Sequence, residues 1–453
     1  MRRFAPIVWL AILAFVVASC GTRVDRAAYM AELKAGGGYV DTGGYAAGDD
    51  PGTGVVDPGA PIDSGSGGGL NPGTGPSTGP SGQPSTVYRG PKVSTKIQGN
   101  VVTVGMHVPE TGAAPLPTNY KDTLDAIVKY FNTEGKVFGR TLRFVLEDDG
   151  YDPQVALAAC RKLAGEEPLY VIGHTMPAGQ EVCARLFEDR GIPYLMRGTY
   201  PEILKGRQLS WFGTCPDDIQ GRLLADYVLK HLNGVGKKAA VVFQDDQVSS
   251  RDNFVARIKA GGGKIVLVDQ SVPRQSDYAA TVQKLQDAGA EFVLLSLPPV
   301  DAIKLSVQAQ GQGYHPTWLG GGTWWNYNMV LESAGMALDG SIVLSPWASI
   351  DSAATDEFKQ VMRKYAPDIT PDDIGLIMWG WANLVREAMV QAGPQLSRDS
   401  FVRALNKLRY SKPYWVPISY TATNHRGANS VAVFRADGQA KRWRQISGFV
   451  TGF

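Results

Sequence analysis

The feature that most constrains the fold is an alternation between residues 101 and 345, in which short apolar runs are each followed by one stretch of helical period. The first run, Val101-Val102-Thr103-Val104-Gly105-Met106, has the apolar character of a strand buried within a sheet. Leu124, Ile127, Val128 and Phe131 then recur at the spacing of one helix face. Further strands are expected over 142–147, 169–172 and 193–196, with helices over 120–132, over 153–163 and up to 186. Single helices between successive strands at short spacing point to a parallel, doubly wound sheet. A second set repeats the pattern: strands over 239–243, 265–269, 292–296, 317–319 and 341–345, with helices over 220–232, 252–260, 278–288 and 301–310. Helices over 356–364, 374–392 and 398–408 follow, with strands near 418–420 and 430–435. So many strands exceed one open sheet, and the expectation is an α/β chain of two lobes.

Before residue 99 the texture is different. Arg2 and Arg3 precede an apolar run over 4–17 and the small residues Ala18-Ser19, which together have the layout of a secretory signal. Val17-Ala18-Ser19-Cys20 resembles a bacterial lipobox, which makes Cys20 the expected lipidated residue after removal of a signal peptide over 1–19. Two acyl chains on one residue suffice for stable anchoring where a single chain would be marginal. The alternative is an ordinary secretory signal with a cysteine nearby. Gly, Pro, Ser, Thr and Asp dominate residues 36–91, and such a stretch has too little apolar surface to offset its ordering entropy. Residues 20–98 therefore read as a lipid-anchored stalk, with a random-coil span of roughly 50 Å.

Composition excludes several function classes. A net charge of +2 over 453 residues gives no nucleic-acid footprint, and five scattered histidines give no metal-ligand spacing. No C-x-x-C, Walker loop, H-E-x-x-H or G-x-G-x-x-G occurs, so no enzyme class and no cofactor are indicated. Asp148-Asp149, Asp245-Asp246 and Asp372-Asp373 lack the spaced oxygens of a calcium loop and read as turns and helix caps. Beyond Cys20 there are Cys160, Cys183 and Cys215. Cys160 and Cys183 fall on helices that follow consecutive strands and are the expected disulfide, with Cys215 the free thiol.

Several loop patterns resemble the periplasmic leucine/isoleucine/valine-binding proteins. They are Gly173-His174, Gly191-Ile192-Pro193-Tyr194, Thr199-Tyr200-Pro201-Glu202, Asp148-Asp149 before Asp152-Pro153, and Asp277-Tyr278. The similarity covers most of residues 100–453. It implies the type I bilobed fold, two Rossmann-like lobes joined by three crossovers, with ligand in the cleft between them. Lobe one would span 99–217 and 350–425, and lobe two 218–349 and 426–453. It also implies an extracytoplasmic, monomeric binding protein that takes a small organic ligand and delivers it to the permease subunits of an ABC importer. A sensing role with a signalling partner uses the same clamshell.

The resemblance places ligand contacts at strand ends, where loops and helix N-termini present N–H groups. In lobe one these are Thr111 and Gly112 after the first strand, Met176, Gly179 (where the family has a serine) and Thr199. In lobe two they are Val248 and the aromatic residues Trp324, Trp325 and Tyr327, which follow a flexible triple glycine. A Trp buries on the order of 150–250 Å² and suits a wall against an apolar or aromatic ligand; core packing is the alternative for the pair. The family acid that pairs a ligand ammonium should fall near Gly320-Gly321-Gly322-Thr323, and none occurs there. A partly apolar or aromatic ligand with a hydrogen-bonding end is therefore expected, rather than a free branched-chain amino acid.

Overall fold

The computed structural model describes residues 97, 99–112, 115–116, 119–244, 248–321 and 325–453. Cys20 with the leader and stalk expected before residue 97, the pair Asp245-Asp246, and Trp324 lie outside these residues. The chain opens with β1 (Val101–Val108), α1 (Asn119–Thr133), β2 (Thr141–Asp148), α2 (Pro153–Gly165), β3 (Tyr170–Gly173), α3 (Pro177–Arg190), β4 (Tyr194–Met196) and β5 (Ser210–Phe212). These strands form one parallel sheet in the order β2-β1-β3-β4-β5. Its helices start and stop where local chemistry dictates. Asp152 caps α2 ahead of Pro153, and Gly191 ends α3 in the left-handed region at φ 64°. Cys160 on α2 and Cys183 on α3 are joined as a disulfide, with Cα atoms 5.8 Å apart, while Cys215 is a buried free thiol.

The second lobe continues with α4 (Asp217–His231), β6 (Lys238–Phe243), α5 (Val248–Ala260), β7 (Lys264–Gln270), α6 (Ala279–Ala288), β8 (Phe292–Ser296), α7 (Pro299–Gly311), β9 (Thr317–Gly320), α8 (Asn328–Ala334) and β10 (Ile342–Ser345). The chain then returns to lobe one as α9 (Asp356–Tyr365), α10 (Asp373–Ala392), α11 (Arg398–Leu405) and a hairpin of β11 (Arg409–Lys412) and β12 (Trp415–Ser419). It finishes with β13 (Ala432–Asp437) and β14 (Arg442–Gln445), which pair antiparallel onto the β10 edge. The second sheet thus has the order β14-β13-β10-β9-β8-β6-β7, parallel from β10 to β7. Of the described elements, β5, β11, β14 and α8 were not expected from the sequence, and the helix expected over 398–408 ends at Leu405. The first three are short edge or hairpin strands, and α8 is seven residues long.

Three connections cross between the lobes, and one aromatic group gathers them. Trp415 at the start of β12 is fully buried, and its Nε1 donates to Gly213 O on the first connection at 3.1 Å. Its ring lies 6.3 Å from Trp347 on the second connection and meets Trp381 of α10 edge-on at the same distance. On the third, His425 O accepts from Phe212 N at 2.9 Å, and Arg426 Nη2 donates to both oxygens of Asp218.

The Trp415 ring lies against the bare backbone of Gly380, where an added Cβ would come within 2.2 Å of it. Gly380→Ala is therefore expected to lower unfolding stability by about 1–3 kcal/mol through overpacking. Urea denaturation measures this, and a loss below about 0.5 kcal/mol would show that this packing has slack.

Candidate functional site

The C-terminal ends of both sheets face one interlobe cleft, and the two acids that end β2 organise its lobe-one wall. Asp148 Oδ1 accepts from Glu110 N at 2.8 Å, Thr111 N at 3.2 Å and Gly150 N at 2.9 Å, while its Oδ2 accepts from Thr111 Oγ1 at 2.6 Å. The Thr111 hydroxyl is thus committed to holding its own loop, so its side chain is not the free ligand donor expected from the sequence. Gly112 sits at φ 90°, and a Cβ there would come within 1.7 Å of Gly150 O. Only glycine fits.

Asp149 works one layer deeper. Its Oδ2 accepts from His107 Nδ1 at 3.0 Å, and its Oδ1 accepts from Thr175 Oγ1 at 2.8 Å and Tyr151 N at 3.1 Å. A carboxylate on Nδ1 leaves His107 Nε2 to accept from the Tyr194 hydroxyl at 2.7 Å. The network ties the C-terminal ends of β1 and β2 and the start of β4 to the Thr175 loop, and burial, then Asp149, holds the Tyr194 phenol well above its usual range. Neighbouring His174 is buried, and that burial, with Arg197 and His107 nearby, pushes its pKa down to about 3.

Thr175 leads into α3, whose N-cap, Met176, makes no side-chain capping bond. The first turn, with buried Gly179, therefore presents helix N–H groups and the positive end of the helix dipole, which suit a hydrogen-bond acceptor. Thr199 follows β4 and is fully buried, and its hydroxyl has no hydrogen-bond partner among the described residues. Its backbone is held in place: Gly198 N donates to Thr214 Oγ1 at 2.8 Å, and Thr199 O accepts from Asp217 N at 3.2 Å. An orphaned hydroxyl in such a position calls for an explanation.

In lobe two the aromatic residues part company. Trp325 is fully buried, donates its Nε1–H to Leu295 O at 3.0 Å and meets Trp443 edge-on at 5.7 Å. A Cβ on Gly320 would fall 2.8 Å from its ring. The indole is thus occupied by lobe-two packing, a correction to its expected role as a ligand wall. Tyr327 stacks on Trp347 at 6.2 Å and lines an interlobe cavity. Val248 is half-buried at the start of α5, near which Ser250 Oγ donates to Gly321 O. Ser296 at the end of β8 and Asn326 were missed by sequence reasoning. Both are buried, and Ser296 Oγ and Asn326 Oδ1 lack partners among the described residues.

Among the described residues, two hydrogen bonds link the lobes across the cleft. Arg274 Nη2 donates to Gly112 O at 2.8 Å, and Asn328 N donates to Asp373 Oδ2 at 2.9 Å. Beside the second contact lies a cavity of about 520 Å³, lined from lobe two by Tyr327, Met329 and Glu332 and from lobe one by Asp372, Asp373 and Ile374. Asp351, on the connection, also lines it. Asp372 is the cap its sequence suggested, with Oδ1 accepting from Gly375 N at 2.8 Å. Asp373 instead reaches the other lobe. Carboxylates therefore do reach the interlobe space, from elements other than the triple-glycine loop, and the missing acid no longer argues against an amine-bearing ligand.

Residues 101–441 match the family model described as periplasmic binding protein. The Leu/Ile/Val-binding protein homolog 3 of Brucella melitensis is 24% identical over 344 residues, which cover 74% of this chain and 91% of that protein. Matches to further curated relatives, at 26–27% identity, span only 59–60% of their length. Among solved structures, a fatty acid ABC transporter substrate-binding protein from Thermomonospora curvata superposes with a TM-score of 0.70 at 19% identity, covering 82% of this chain and 96% of that one. A solute-binding protein of an ABC transporter from R. palustris, in complex with 4-hydroxybenzoate, gives 0.67 at 18% identity, covering 78% and 97%.

His174 yields a pH prediction. Its folded pKa of about 3 lies below the unfolded value near 6.5, so the unfolded chain binds more protons between the two. Its contribution to stability is complete above about pH 6.5 and is lost as pH falls toward 3. Urea midpoints of the parent chain should drop between pH 6.5 and 4.5, and drop less in His174→Gln. Equal slopes in the two proteins would rule His174 out as a source.

Proposed function

The chain belongs to the periplasmic binding protein family, and from that premise we propose that it captures a small, partly apolar or aromatic organic solute between its lobes and delivers it to an ABC importer. The observation that carries this reading is the pair of contacts across the cleft, Arg274 to Gly112 and Asn328 to Asp373, between two sheets whose loop ends face each other. Hinge closure on a solute would use those contacts. Family members act outside the cytoplasm as binding proteins, and no chemistry on the solute is invoked. A hydrogen-bonding end of the ligand would meet the Thr199 hydroxyl, the α3 N-terminus at Met176 and Gly179, and the loop at Gly112. Tyr327 and Val248 would form the lobe-two side. The relatives' named ligands, from Leu/Ile/Val to a fatty acid and 4-hydroxybenzoate, support a mostly apolar cleft with a polar end.

In this reading lobe one comprises residues 99–217 and 350–425, and lobe two 218–349 and 426–453. The binding unit is monomeric, and a stalk over 20–98 tethers it through a lipidated Cys20 to the outer face of the cell membrane, after removal of residues 1–19. Delivery through permease subunits completes the scheme.

Calorimetry over amino acids, amides, aromatic acids and fatty acids tests capture directly. A solute should bind and be recovered unmodified; turnover, or no binding of any class, would end the proposal. Thr199→Val should weaken the solute that binds by about 1–2 kcal/mol, since it strands one buried partner. An unchanged affinity would remove Thr199 from the site.

The tether has its own test. Palmitate labelling and membrane association should both be lost in Cys20→Ala; membrane association that survives would refute the lipid anchor.

A further inference from the structure

We infer that the interlobe cavity at the N-terminus of α10 is a recognition subsite for an organic ammonium group, with Asp373 as its anionic partner. The inference rests on the reading of the cleft as a solute trap and names a chemical class for that solute. The cavity, about 520 Å³, draws its lining from both lobes, so whatever fills it bears on closure. Tyr327, Met329, Ile350 and Ile374 give it an apolar wall suited to a hydrocarbon or ring.

Asp373 is 7% exposed and lines this cavity. One of its oxygens accepts from Asn328 N, and the other has no partner among the described residues. Among the described residues no salt bridge reaches the carboxyl. A buried carboxylate served by one neutral N–H lacks much of the stabilisation that water gave it. Burial accordingly pushes its pKa up to about 7; Asp372 on its own helix and Asp351 on the connection add to the rise, and Arg442 of β14 opposes it.

Two of the cations on the lining are already committed to other acids. Arg442 pairs with Glu332 of α8 at 3.0 Å, and Lys359 of α9 pairs with Asp356 at 2.7 Å and donates to Ser352 O. Asp351 and Asp373 also line the cavity, as does Arg363 of α9. An ammonium placed in the cavity supplies the counter-charge that Asp373 lacks, and N⁺–H···O⁻ bonds are the strong class of hydrogen bond. It also holds Asp373 ionised, so binding near neutral pH releases a proton.

The test is calorimetry with a matched set: benzylamine, tyramine and leucine as amines, benzyl alcohol as the neutral analogue, and benzoate as the anion. At pH 7.5 at least one amine should bind the parent protein, and Asp373→Asn, which keeps the acceptor for Asn328 N, should weaken it at least tenfold. Binding of benzyl alcohol or benzoate, if any, should change less than twofold in that variant. On the parent protein, amine affinity should fall between pH 8 and 6, by up to about tenfold per unit below pH 7. That profile decides the matter if the variant does not fold. Amine binding that survives Asp373→Asn, or is flat with pH, overturns the subsite. Binding of benzoate alone also overturns it but leaves solute capture standing; no binding by any solute class sinks both.

Discussion

The packing around Trp415 fixes how the two lobes can relate. Its ring stands among Trp347, Trp381 and the bare backbones of Gly213 and Gly380, where an added Cβ would lie 2.2–2.3 Å from an indole carbon. Interiors this dense do not deform continuously. Backbone bonds reinforce the same point: Val416 N donates to Pro346 O at 2.9 Å, and the Tyr420 hydroxyl donates to Phe212 O at 2.6 Å. All three connections are thereby bound to one another. Any relative motion of the lobes would be rotation about this core, and it would have to make and break Arg274–Gly112 and Asn328–Asp373.

A comparable rigidity underlies the lobe-one wall. Asp148 is the last residue of β2 and Asp149 follows it, yet their carboxylates hold different loops. One fixes the loop after β1 and the other fixes the loop after β3 through Thr175. Sites held this way keep their donors aimed whether or not anything is bound, which lowers the ordering cost of binding. The Cys160–Cys183 disulfide joins the two helices beneath these loops, in the same apolar cluster as Phe187 and Tyr194.

Much of this was legible in the sequence, for identifiable reasons. Long periodic elements such as α10 and the buried runs of β1 and β8 announce themselves, since period and apolar content agree. Asp152-Pro153 marks a helix start without ambiguity. Strand β5 is three residues long, and β11 is four residues long with one buried side chain, so neither carries a period long enough to read. The site was less legible than the fold. Thr111 looked like a donor for ligand, but nothing local says that its hydroxyl is already taken by Asp148, 37 residues away. Trp325 looked like a cleft residue because it follows glycines; its partners Leu295 and Trp443 are 30 and more residues distant. Asp373 sits beside a true capping residue, and its reach into the other lobe depends on α8, which the sequence did not announce.

Those misreadings share a cause that bears on where solute chemistry resides in the molecule. A buried polar atom is costly unless it is paired, so most such atoms find partners, and the partners are remote in sequence. Thr111, Asp148, Asp149 and Trp325 all obey that rule and so drop out of the set of groups free to meet a solute. Thr199 Oγ1 and Ser296 Oγ do not obey it, and each lies at or just after the C-terminal end of a central strand. That is where an open α/β sheet presents its loops to a ligand. Local consistency fails in a folded protein chiefly where function needs the exception. Satisfaction separates the two threonines where residue type does not, because Thr111 Oγ1 is held by Asp148 while Thr199 Oγ1 has no partner among the described residues.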